Sequence, residues 1–375
     1  MSALALTATM AAAVLLASMV SIEIGVSVAL LEILLGVVIG NATTTEIPSW
    51  FAFIGSFAPI VLAFLAGSEI DATQLKREWR DSFLLGGISF AFPFGVIYAL
   101  THHLLGWGVQ QGLIASTALA TTSVAIVYTV LLESGLAQTD MGKRLMAATF
   151  VTDLLTALTL SILFTKPSWW LVPFSLVAVA LVVVVPRLFP WFFGRYGESV
   201  VEPEIKLVFA GLFLLMWLGE HARSHAVLPA FLLGLVLSTH YARNRKEHDR
   251  LRVVSFAFLT PFFFMKSGMR VSLDVLWADV GVLGLLFGVK MAAKLALFPL
   301  VRRACRPHTV FATLLQSTGL TFGTIASLYG LSSGIIGERK FSLLVAVIVL
   351  SALVPTTVAQ TFFRPRLRRS GLWGE

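Results

Sequence analysis

Apolar runs about as long as a bilayer is thick recur along almost the whole sequence, at about thirteen places. They cover residues 3–21, 22–40, 48–69, 82–105, 108–133, 141–165, 168–188, 203–221, 223–239, 251–269, 278–300, 308–333 and 340–363. As helices rising 1.5 Å per residue, runs of roughly twenty residues cross the hydrocarbon of a membrane. The reading is an all-α polytopic membrane protein. Composition agrees, since 57% hydrophobic and 13% charged residues, with a mean hydropathy of +0.87, leave too little polar surface for a soluble domain. Trp50, Trp107, Trp169, Trp170, Trp191 and Trp277 fall near the proposed ends of the runs, where interfacial anchors belong.

Lysine and arginine are spread unevenly over the connecting loops. Loops 70–81, 134–144, 187–206, 240–252 and 302–306 and the tail 364–375 hold most of them, with Lys143 and Arg144 as cytoplasmic anchors. The alternate loops hold only Lys166, Arg223, Arg270, Arg339 and Lys340. Basic loops stay in the cytoplasm, so the N-terminus is expected outside and the C-terminus inside. The formal net charge of +8 is thus a topology signal. The run His240-Tyr241-Ala242-Arg243-Asn244-Arg245-Lys246 reads as a solvated loop, and no nucleic-acid partner is expected. The first basic residue is Lys76, so the n-region of a signal peptide is missing and the first apolar run is expected to stay as a membrane helix. Cys305 is the single cysteine, which excludes an intrachain disulfide and leaves no redox or zinc motif.

Two charges lie deep inside these runs. Asp153 is central in the sixth and Lys290 is mid-way along the eleventh. A carboxylate at the middle of a membrane helix is unfavourable by about 2.5 to 3.5 kcal/mol on insertion scales, so Asp153 is expected to face protein, a partner or a polar route. Thr149 and Thr156 share its helical face and Thr152 adjoins it. That face is oxygen-rich, unless the hydroxyls only back-bond to their own helix. An acid and a base at matching depth are the parts of a site that exchanges a proton for a cation. Glu69 reads either as a site residue or as a buried helix-end cap. Lys266 reads as a second intramembrane cation or as a side chain snorkelling to the outer interface. Glu220, His221 and His225 belong near that interface. Gly284 and Gly288 have the GxxxG spacing that permits close helix approach.

Polar interruptions complete the pattern. Ala120-Thr121-Thr122-Ser123 breaks the fifth run, and Ser317-Thr318-Gly319-Leu320-Thr321-Phe322-Gly323 breaks the twelfth. Such clusters are tolerated at membrane depth as hydrogen-bonded helix or as unwound backbone lining a cavity. Breaks in equivalent places of two halves point to a transporter built from inverted repeats with its site at the midplane. The division expected is 1–165 as the first repeat, 166–202 as a linker helix, 203–363 as the second repeat and 364–375 as a basic cytoplasmic tail.

Several stretches then resemble one family. Leu31-Glu32-Ile33-Leu34-Leu35-Gly36-Val37-Val38-Ile39-Gly40 looks like a glycine-rich first motif, and Phe64-Leu65-Ala66-Gly67-Ser68-Glu69-Ile70-Asp71 is close to F-L-A-G-x-E. Thr121-Thr122-Ser123-Val124-Ala125-Ile126-Val127 resembles S-S-T-A-I-V, Val151-Thr152-Asp153 sits at a paired acidic motif, and Phe262-Phe263-Phe264 with Gly268-Met269 resembles F-F-x-x-x-G-M. These are the motifs of the monovalent cation:proton antiporter superfamily, in its bacterial sodium/proton and Kef-type potassium branch. The resemblance implies a dimerisation domain and a core domain with two crossed, broken helices in a bacterial inner membrane. It implies Asp153, with Thr152 beside it, as the site of protons and of the sodium or potassium ion, and Lys290 as its basic partner. It places Thr121, Thr122, Ser123, Thr318 and Thr321 as ligands at the crossing. Thr152 departs from the usual Asp, Asn or Gln, and Lys266 stands where a small polar residue is common.

The expected partners are monovalent cations, protons, lipid and a second copy of the chain. No cofactor is expected, and no nucleotide loop, HExxH or GxSxG motif suggests an enzyme. A Kef-type potassium efflux system or a solute symporter of the same fold remains open as a related reading, and a non-transporting membrane sensor as one from another class.

Overall fold

The computed structural model describes residues 3–363, apart from 25, 44–47, 71–78, 138, 166, 198 and 200. Asp71, Lys76, Lys166 and the basic tail 364–375 therefore lie outside the described residues. Among those described the chain is helical, with no strand. The first half holds α1 (Ala3–Ile24), α2 (Val28–Ala42), α3 (Ser49–Ser68), α4 (Trp79–Ala99, running on as a π-helical turn Leu100–Leu104), α5 (Val109–Ala120), α6 (Val124–Glu133) and α7 (Asp140–Phe164). A long helix, α8 (Leu171–Tyr196), follows. The second half holds α9 (Pro203–Ala222), α10 (Val227–Arg243), the amphipathic α11 (Arg245–Val254) with a π-helical turn Ser255–Leu259, and α12 (Thr260–Met269). It ends with α13 (Leu273–Ala278), α14 (Val280–Leu295), α15 (Phe298–Ala304), α16 (Thr309–Gln316), α17 (Thr321–Ser332) and α18 (Glu338–Phe362).

By length and apolarity, 8 helices among the described residues are able to cross a bilayer, or 9 when the pair α14 and α15, bent by 42°, counts as one span. The remaining apolar runs hold shorter or interrupted helices. Two boundaries differ from expectation. The first helix continues past residue 21 to Ile24, and the turn is fixed where the Ser21 hydroxyl donates to the Val26 carbonyl at 2.6 Å. The helix expected to end at 188 runs on through Pro186 and Pro190 to Tyr196. Each proline removes one amide donor, but neighbouring groups in a membrane helix re-satisfy the freed carbonyls. Between the two prolines, the Arg187 guanidinium donates to the Val183 carbonyl.

The two halves pack reciprocally. Helix α3 lies along α10 and α2 along α12, and glycines set both approaches. A Cβ on Gly67 would fall on the Phe231 carbonyl oxygen, and one on Gly234 would fall on that of Phe64. Likewise, Gly36 abuts the Met265 carbonyl and Gly268 that of Ile33. Backbone-to-backbone contact of this kind is what small residues permit between membrane helices. Gly36, Gly67 and Gly268 of the family-like motifs are therefore packing residues. Gly284 and Gly288 are not: among the described residues nothing on another helix lies within 4 Å of a Cβ built on either, so the GxxxG spacing faces no described helix of this chain.

Candidate functional site

Helices α5 and α6 are one broken span, and α16 and α17 are another. Unwinding at 121–123 and 317–320 frees backbone groups that water cannot reach, and the two breaks satisfy each other. The Ser123 amide donates to the Thr318 carbonyl at 3.1 Å, and the Thr122 hydroxyl donates to the Gln316 carbonyl at 2.9 Å. The crossing is thus tied by both backbone and side chain, as polar groups in a dry interior require.

Asp153 stands beside this crossing. It is 2% exposed and its Oδ1 accepts from the Thr121 hydroxyl at 3.3 Å. The threonines on its helix are already engaged: Thr149 donates to Leu145, Thr152 to Thr149 and Thr156 to Thr152, each to a backbone carbonyl. Back-bonding therefore claims their protons, and Thr152 is absent from the cavity that Asp153 lines. That cavity, about 440 Å³, brings Asp153 together with Thr321, Leu320 and Thr129, and reaches Glu69 and Arg252. Glu69 caps the C-terminal end of α3 and pairs with Arg252 at 3.4 Å, so it is at once a helix-end residue and part of the cavity wall.

The basic groups are arranged differently from expectation. Lys290 donates to the Ser351 hydroxyl at 2.6 Å and lies against Gly319 of the second break. Lys294, one helical turn further along α14, reaches the first break instead, bonding Thr122 next to the Thr121 that bonds Asp153. Lys294 donates to the Ser89 carbonyl at 2.9 Å and to the Thr122 hydroxyl at 3.1 Å. Both lysines are fully buried, so α14 sends one cation to each break. The C-terminal ends of α5 and α16 meet there, and helix C-termini carry partial negative charge that such cations offset.

Sequence reasoning missed Lys294. Its spacing from Lys290, one turn apart on one face, was the available signal. It also missed Gln316, whose amide donates to Thr149 at 3.2 Å and whose carbonyl oxygen accepts from Ser89 at 3.3 Å. Of the remaining residues, Thr318 donates its hydroxyl to Leu315. Lys266 is far from Glu69 along the fold: it opens onto a second cavity, about 1020 Å³, with Arg270, His225 and Glu338. Glu220 and His221 line neither cavity, and His221 packs its ring on Trp170 and Trp217.

A buried carboxylate with cavity access, hydroxyl and carbonyl oxygens around two helix breaks, and a buried lysine on each break make a group able to hold a proton or a small cation. Comparison with known proteins points the same way. The family model described as sodium/hydrogen exchanger, transmembrane, matches residues 9–364. The probable Na(+)/H(+) antiporter 3 of Methanocaldococcus jannaschii is 27% identical over 346 residues, covering 88% of each chain. The Na(+)/H(+)-K(+) antiporter GerN of Bacillus cereus is 24% identical, covering 92% of this chain and 93% of the other. The solved structure of the sodium proton antiporter MjNhaP1 from Methanocaldococcus jannaschii superposes with a TM-score of 0.71 at 16% identity, over 94% of this chain and 96% of that one.

Proposed function

This chain belongs to the sodium/hydrogen exchanger family, and from that premise we propose that it exchanges sodium or potassium for protons with Asp153 as the alternating carrier. The carrying observation is that Asp153, buried at 2% exposure, still lines a cavity that reaches Glu69 and Arg252. Loop charge assigns that face to the cytoplasm. The N-terminus is then outside and the C-terminus inside, in the cytoplasmic membrane of a bacterial cell.

In the cycle, protonated Asp153 loses its proton into the cavity and takes a dehydrated cation. The Thr121 hydroxyl and backbone carbonyls at the two breaks replace part of the ion's water, as oxygen ligands do at membrane depth. Lys294 stabilises the carboxylate when it is empty, and its anchorage on Ser89 and Thr122 keeps it from closing on Asp153 as a permanent ion pair. Re-exposure to the other face follows from rocking of one bundle against the other around the crossing. Residues 1–165 and 203–363 are the two repeats, 166–202 the linking helix and 364–375 a cytoplasmic tail. The chain pairs with a second copy through α1, whose exposed face carries Leu15, Leu16 and Met19. Potassium is included among the cations because of the likeness to a relative described as exchanging it.

The test is dissipation of an imposed pH gradient in proteoliposomes on addition of sodium, potassium or lithium. The unaltered protein should respond to at least one of them and Asp153→Asn to none. Full activity of Asp153→Asn removes this residue from the mechanism, and silence of the unaltered protein toward every cation favours a sensor.

A further inference from the structure

Lys266 has no place in the cycle above, yet it is built into the fold. It leaves α12 toward α3, where its ammonium donates to the Ala52 carbonyl at 2.9 Å and to the Ser56 hydroxyl at 3.4 Å. Its stem lies over Gly55, where any Cβ would collide with it. It lines the cavity of about 1020 Å³ on the face opposite to that of Glu69. One turn nearer the mouth is Arg270, held by Glu338 at 3.2 Å.

The two cavities therefore differ in sign. The smaller one carries Asp153 and Glu69 against Arg252, a formal excess of one negative charge. The larger carries Lys266 and Arg270 against Glu338, with His225 neutral, a formal excess of one positive charge. No carboxylate partners Lys266 among its described contacts, so its charge is not cancelled locally. Low-dielectric walls focus such fields on an ion passing through.

We propose that Lys266 is a tethered cation that lowers the affinity for the transported cation on the face of the larger cavity, so that the two faces bind the ion unequally. This inference rests on the exchange reading above. A unit charge that no carboxylate cancels raises the energy of a cation on that side of the crossing, by an amount that falls with distance and with the effective dielectric between them. The equilibrium of exchange is untouched, because a repulsion that weakens binding on that face also speeds release there. Sodium entering from the smaller cavity meets attraction and, leaving by the larger, meets repulsion.

The experiment measures KM for sodium on each face, using right-side-out and everted membrane vesicles that contain the unaltered protein, Lys266→Gln, Lys266→Met or Lys266→Arg. Lys266→Gln retains a donor for Ala52 without the charge, and Lys266→Arg retains the charge. Both neutral variants should lower KM on the larger-cavity face by about tenfold and leave the opposite face within about twofold. Lys266→Arg should keep the unaltered asymmetry. A shift with Lys266→Met alone reports a structural tether and overturns the proposal, as does an equal shift on both faces or none. Silence of the unaltered protein in both vesicle types removes the exchange reading as well, whereas normal exchange with unaltered kinetics in Lys266→Gln removes only this inference.

Discussion

The amide of Ser123 donates to the carbonyl of Thr318 across 194 intervening positions of chain, at 3.1 Å. Each of these residues lies in a break that by itself would leave unpaired backbone in the membrane, at a cost of several kcal/mol per group. Joined, the breaks become one rigid crossing that holds Thr121 against Asp153 and Thr122 against Lys294.

Lys294 and Lys290 should separate on mutation. Lys294→Met removes the bonds to Ser89 and to Thr122, next to the Thr121 that bonds Asp153, whereas Lys290→Met removes the bond to Ser351. The exchange rate should fall by about tenfold or more in Lys294→Met, since truncating a buried hydrogen-bonded charge costs roughly 2 kcal/mol or more. Lys290→Met should lose less. Rates from the same proteoliposome assay decide it, and the opposite ranking would return the role to Lys290.

Exchange should be electrically neutral. Thr152 stands beside Asp153, so the site offers one carboxylate, which holds one proton or one monovalent cation in turn. Moving a net charge would couple exchange to voltage by about 2.3 kcal/mol per 100 mV, a shift of roughly fiftyfold in the balancing gradient. With the potential clamped at different values by an ionophore, the null point of the sodium and pH gradients should stay put. A voltage-dependent null point would mean that a second group, with Lys294 the nearest candidate, also carries a proton.

The glycines should rank by what they touch. Gly67→Val places side-chain atoms on the Phe231 carbonyl and should prevent recovery of monodisperse protein, because the obstacle is backbone and overpacking a tight contact costs about 1–3 kcal/mol or more. Gly284→Ala has open space around it and should purify and melt like the unaltered chain. Size-exclusion profiles and thermal melts in detergent provide the comparison.

Cys305 should be inert to thiol reagents in the folded protein. It is fully buried, and burial pushes its thiol up to about 11. At pH 8 only about a thousandth is thiolate, the reactive form. Maleimide labelling should be negligible in detergent at that pH and become complete after denaturation. Rapid labelling of folded protein would show that the α15 end opens.

Much of this protein was legible in its residues alone. Runs of apolar side chains near the length of a bilayer dictate helices because lipid offers the backbone no other partner. Asp153 stood out for the same reason, since a charge in hydrocarbon needs a cause. The breaks at 121–123 and 317–320 were visible as clusters of threonine, serine and glycine.

What the chain's order could not reveal is which of these polar groups meet. Helical periodicity gave Lys290 and Lys294 one shared face, but the partner of each depends on how α14 settles against α4, α5, α16 and α18, a matter of packing between distant segments. In the same way, Gly67 and Gly284 look alike in sequence, yet one carries a helix contact and the other none. Local chemistry determined the helices and the buried acid; only tertiary packing, which fixes distances across the interior, decided which lysine bonds the first break and which cavity reaches that acid.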